Sequence, residues 1–130
     1  MEKNRIRLIQ KVISRIPLSP AQIALFKALY ETNNHWISIY ELAYRIKVEE
    51  ESMGGILGAL GNRINQTEGI APPLDGIGLL MIWETYHGEL HYKLLPELEA
   101  VINNNPALHD AIKQSVEEIY DNYADGLTIH

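Results

Sequence analysis

Residues 81–94 read MIWETYHGELHYKL. Six residues lie on each side of His87-Gly88, a pair suited to a two-residue turn because glycine takes left-handed backbone without strain and histidine tolerates it. Placing the turn there fixes the register: Tyr86 faces Glu89, Glu84 faces His91 and Ile82 faces Lys93 on one side, with Thr85 opposite Leu90, Trp83 opposite Tyr92 and Met81 opposite Leu94 on the other. The second side is the apolar one, so the ribbon is expected to bury it, Trp83 and Tyr92 included.

Upstream of this hairpin the apolar period changes from two to between three and four. Met53, Ile56, Leu57, Leu60 and Ile64 give one face of a helix near residues 50–66, with Glu49, Glu50 and Glu51 where its dipole favours negative charge. Ile39, Leu42, Ala43 and Ile46 form the inward row of a shorter helix, with Ser38 as N-cap and Glu41 completing a capping box. Residues 35–37 suit a short isolated strand. Ser19 caps a further helix that Pro20 opens and Asn33-Asn34 ends, buried through Ile23, Phe26, Leu29 and Tyr30. Two amphipathic helices flank this core: residues 2–16, with Ile6, Ile9, Val12, Ile13 and Ile16, and residues 106–124, with Leu108, Ile112, Val116, Ile119 and Tyr123. A short helix follows Pro96, and residues 66–78 are the one substantial loop.

The chain has 130 residues, 46% of them hydrophobic, enough for one core and too few for two comfortable ones, so a single domain over 1–130 is expected. No cysteine is present, which excludes disulfides and thiolate metal sites and fits a reducing, cytoplasmic setting. Basic residues interrupt the apolar ones near the amino terminus, so no signal peptide is expected there, and nothing is long enough to span a membrane. Net charge at pH 7 is -6, unevenly spread: residues 1–16 hold five basic side chains against Glu2 alone, whereas beyond Pro106 the carboxylates dominate.

The order helix, turn, helix, hairpin over residues 19–98 resembles the winged helix-turn-helix superfamily found in many bacterial regulators. The matching features are Glu41-Leu42-Ala43 in the first motif helix, the ladder Met53, Leu57 and Leu60 in the second, and the hairpin after it. The resemblance implies a mainly α fold with a small antiparallel β-hairpin (α+β), a winged helix extended by terminal helices. It also implies binding of double-stranded DNA by a transcriptional regulator, the 50–66 helix entering the major groove and the hairpin lying along the backbone. The candidate contacts are then Ser52, Gly55, Ala59, Asn62, Arg63 and Gln66 on the helix, with His87 and Lys93 on the wing. Arg63 is the one basic reader, so Arg63→Ala is expected to weaken DNA binding and leave the melting temperature nearly unchanged. The alternative is a non-catalytic protein-interaction module built on a winged helix that no longer binds DNA.

Two further features carry competing readings. Gly54, Gly55, Gly58 and Gly61 together cost a helix on the order of 3 to 4 kcal/mol relative to alanine. The expected cause is tight packing of the strip Gly54, Gly58 and Gly61 against a neighbouring helix of the same domain, ahead of a partner protein or of close passage of DNA. Lys3, Arg7, Lys11 and Arg15 recur every four residues and either grip phosphates or face the acidic edge formed by Asp110, Glu117, Asp121 and Asp125. The pairing is preferred, within one chain or across a homodimer joined through terminal helices. Catalysis is not expected: the five histidines are scattered, no serine has a base beside it, and no metal or cofactor is implied. Trp36, Trp83, Tyr86 and Tyr92 offer stacking surfaces for unpaired bases, but core is the preferred assignment for Trp83 and Tyr92.

Overall fold

A computed structural model describes residues 2–130; residue 1 of the expected domain lies outside the described residues. The chain is mainly helical with a small antiparallel sheet. Helix α1 (Lys3–Arg15) starts where the Glu2 carboxylate accepts from the N–H groups of Asn4 and Arg5 at 2.7 and 2.9 Å. Helix α2 (Pro20–Glu31) starts on a complete capping box between Ser19 and Gln22. It is the central helix: Ile23 through Phe26, then Ala28 and Leu29, are all buried. Helices α3 (Ile39–Ile46), α6 (Pro106–Ile112) and α7 (Val116–Asn122) pack around it.

Helix α3 uses half of the expected capping box. Ser38 accepts from the Glu41 N–H at 3.1 Å, but the Glu41 carboxylate turns to Arg45 one helical turn on, at 3.5 Å. A turn of 3-10 helix, Glu50–Ser52, leads into α4 (Met53–Asn65), which buries Met53, Leu57, Leu60 and Ile64. Strands β2 (Met81–Tyr86) and β3 (Glu89–Leu94) pair in the register expected from the turn, with His87 and Gly88 at φ of 50° and 78°. The expected isolated strand is in fact paired: β1 (Ile37–Ser38) joins β3 through Ile37 opposite Tyr92 and Ser38 opposite His91, giving the order β1-β3-β2.

Burial along the hairpin differs from the alternation. Met81, Tyr92 and Leu94 are buried, but Trp83 is 48% exposed and Leu90 is exposed too. The core meets only the base of the ribbon, so the tip projects beyond it, and the Trp83 ring lies beside Gly78, 3.8 Å from where a Cβ on that glycine would stand.

The expected single helix over 106–124 is two. The Ile112 carbonyl, which a continuous helix would commit to Val116, instead accepts from Lys27 Nζ at 2.9 Å, and Ser115 with Glu118 forms a fresh capping box. The break lets α6 and α7 each lie against α2. Helix α5 (Pro96–Asn103) packs on α1. Behind α7 the chain returns to the α1–α2 connection, where Leu18 and Leu127 exchange backbone hydrogen bonds of 2.8 and 2.9 Å. Gly126 makes this approach possible: its φ is +92°, and a Cβ there would lie 2.7 Å from Pro17 Cβ. One buried apolar cluster runs from Leu8 to Ile129.

Candidate binding face

Helix α4 points a smooth face outward. Gly54, Gly55, Gly58, Ala59, Asn62, Asn65 and Gln66 are exposed, preceded by exposed Glu49, Glu50, Glu51 and Ser52. A Cβ built on Gly54, Gly55 or Gly58 would meet nothing within 4 Å, and one on Gly61 would meet only the Ile77 methyl at 3.9 Å. The expected packing of this strip inside the domain is therefore overturned. The inward face of α4 is filled by its apolar ladder, and the glycines lie on the opposite side. Beside them, between α4 and the start of α2, runs a shallow groove of about 400 Å³ floored by Ala21, Gly55, Ile56 and Ala59.

Arg63 does not belong to this face. Its side chain turns inward, with 5% of the residue exposed, and donates from Nη1 to the carbonyls of Val12 and Ile16 at 3.1 and 2.8 Å and from Nη2 to that of Pro17. Helix α1 ends at an extended Ile16 followed by proline, with no glycine to fold the chain back onto its last carbonyls. Arg63 supplies those donors from another helix, so its assignment as an exposed reader is corrected. Burial, then the nearby charge of Arg15, lowers its pKa from the ordinary arginine value. The signal in the sequence was an α1 terminus that lacked a cap of its own. With Arg63 inward, the exposed face of α4 carries no cation.

The basic row of α1 is exposed at Lys3, Arg7, Lys11 and Arg15. Arg7 donates to Asn4 Oδ1 at 2.6 Å, and Lys11 to the Glu68 carbonyl at 2.8 Å. The expected pairing with the acidic edge is not made within the described chain. Among the described residues Glu117 pairs with Lys47 at 3.1 Å and Asp110 with Lys113 at 3.7 Å, because α1 packs on α5 and lies away from α7. The Arg63 bonds hold the end of α1, and so Arg15, close to the Asn62–Gln66 end of α4.

The hairpin is exposed on both sides, Trp36, Ile82 and Tyr86 on one and Trp83 and Leu90 on the other, and Tyr40 and Tyr44 of α3 are exposed as well. His87 stands at the tip, and Lys93 sits back along β3 with its ammonium 5.8 Å from the centroid of the Trp36 ring. The register had marked Trp83 as inward and set Ile82 opposite Lys93 on the outer side, where it is exposed. Only the distance of each pair from the core separates Met81 from Trp83. Glu84 and His91 are cross-strand partners as expected, but His91 turns Nδ1 to the Glu89 carbonyl at 3.1 Å. Among the described residues no three of His, Asp and Glu converge as a metal-ligand set, and no helix is long and apolar enough to cross a membrane. Comparison with protein-family models, with curated proteins and with solved structures returns no match.

Proposed function

We propose that this chain is a non-catalytic protein-interaction module on a winged-helix frame, with the outer face of α4 as its contact surface. The element order α2, β1, α3, α4, β2, β3 and the strand order β1-β3-β2 support that frame. The observation that carries the function is the open glycine strip. Its helical cost of about 0.8 to 1.0 kcal/mol per glycine is not recovered by packing within the described chain, and a bare strip is what lets another backbone approach closely. Exposed neutral side chains, three carboxylates at residues 49–51 and a net charge of -6 all favour a protein over a phosphate backbone.

A second reading, double-stranded DNA, is favoured by one observation: the α1 row carries no carboxylate partner among the described residues and ends beside α4. In that reading Lys3, Arg7, Lys11 and Arg15 would meet phosphates while Ser52, Asn62 and Gln66 approach bases, with His87 and Lys93 at the wing. An anisotropy titration with mixed-sequence duplex at about 50 mM salt, where phosphate contacts are strongest, separates the two. Absence of binding is the expected result. Binding that disappears in an Arg7→Ala, Arg15→Ala double variant would replace the protein partner with DNA. For the first reading, a photo-crosslinker in place of exposed Ala59 should yield one discrete protein adduct in cells, lost when Gly55 and Gly58 are changed to Gln.

A further inference from the structure

On the solvent side of the sheet lies a cavity of about 300 Å³ lined by Trp36, Glu84, Tyr86 and His91. Its aromatic wall is held in place: Tyr86 stands edge-on to His87, with centroids 4.2 Å apart, and to His91 at 5.9 Å. The lining side chains offer acceptors. A carbonyl only accepts, so the 3.1 Å contact from His91 to the Glu89 oxygen puts the proton of the neutral ring on Nδ1 and leaves Nε2 as an acceptor. The Glu84 carboxylate is an acceptor too, and it enters no ion pair among the described residues. Aromatic faces attract cations, and the chain's own Lys93 already holds its ammonium over Trp36.

Two aromatic faces, a carboxylate and a ring-nitrogen acceptor suit a flat, positively charged group made only of donors. Guanidinium has that chemistry: five N–H groups in a plane, no acceptor, and a fork that matches a carboxylate while its face stacks on a ring. We propose that this pocket receives an arginine side chain of a partner protein, stacked on Tyr86 and Trp36 and hydrogen-bonded to Glu84 and His91. The net charge of -6 attracts such a partner at longer range. An extruded nucleobase fits less well, because it brings acceptors on its edge and a phosphate behind it. The pocket is separate from α4, so the proposal stands whichever partner α4 takes.

The test uses the full chain, labelled with 15N, and follows the Trp36 indole N–H cross-peak during titration with a capped Gly-Gly-Arg-Gly-Gly peptide. Versions with lysine or citrulline in place of arginine serve as comparisons, citrulline keeping the shape and removing the charge. The arginine peptide should shift the peak to saturation, with the lysine version about fivefold weaker and the citrulline version failing to saturate. Glu84→Gln, at an exposed position, should weaken arginine binding by at least about tenfold, and Tyr86→Leu should weaken it while Glu84 is intact. Equal binding of the lysine and arginine peptides, or unchanged affinity in Glu84→Gln, would overturn the proposal. So would a single-stranded oligonucleotide that moves the Trp36 peak when the arginine peptide does not.

Discussion

A single arginine shows how a side chain's role follows from its neighbours. On α4 Arg63 sits three residues after Leu60 and seven after Ile56, at the edge of the inward row, and it joins the last turn of α4 to the open end of α1 through three backbone carbonyls. Removing it leaves the buried Val12 carbonyl and the part-buried carbonyls of Ile16 and Pro17 without their donor. Arg63→Ala should therefore destabilise the fold by roughly 2–3 kcal/mol, lowering Tm by roughly 6–15 °C in a thermal melt. Arg63→Lys should recover only part of this loss, because an ammonium lacks the planar fork. Glu97 makes a second long-range tie. Burial raises its pKa, but hydrogen bonds from the N–H groups of Glu2 and of Glu97 itself, with the charge of Arg5, outweigh it and leave the pKa below the usual carboxylate value. A folded-state pKa below the unfolded one stabilises the fold above the ordinary glutamate value of about 4.3, and that contribution is lost as pH falls through the lower folded value. Glu97→Gln should lower Tm at pH 7 and flatten its decline below about pH 4.5, as followed by circular dichroism across pH.

At the scale of elements, local signals were readable wherever both ends of an interaction lie close in sequence. The Ser19-Pro20 start, the Ser38 cap and the whole β2–β3 register follow from residues a few positions apart. The split of α6 from α7 was not legible, because the Ile112 carbonyl that ends α6 is taken by Lys27, 85 positions away. Helix α4 gives the sharpest expectation. Since a Cβ at Gly54 or Gly58 meets open space, alanine at either should stabilise the chain by about 0.5–1 kcal/mol, read as a higher urea midpoint with unchanged slope. Stabilisation together with weaker partner binding would mark the strip as kept for contact. A loss of stability would mean that the strip is packed after all.

Across the whole molecule, the core is closed by the C-terminal segment, whose Leu127 pairs with Leu18 and whose Ile129 is buried. Deleting residues 126–130 should cost roughly 2–4 kcal/mol by chemical denaturation, since it removes a buried aliphatic side chain and the bridge over the α1–α2 connection. The sequence by itself determined most of the helical and strand segments, the Ser19 and Ser38 caps, the hairpin register and the uneven charge, because each depends on spacing within a few residues or on composition. Only the tertiary structure decided that Arg63 turns in, that Trp83 turns out and that the glycine strip lies open. The physical reason is separation. The partner that occupies or leaves empty each of those faces comes from far along the chain, as Val12 does for Arg63 across 51 positions, and no local period records whether it arrives.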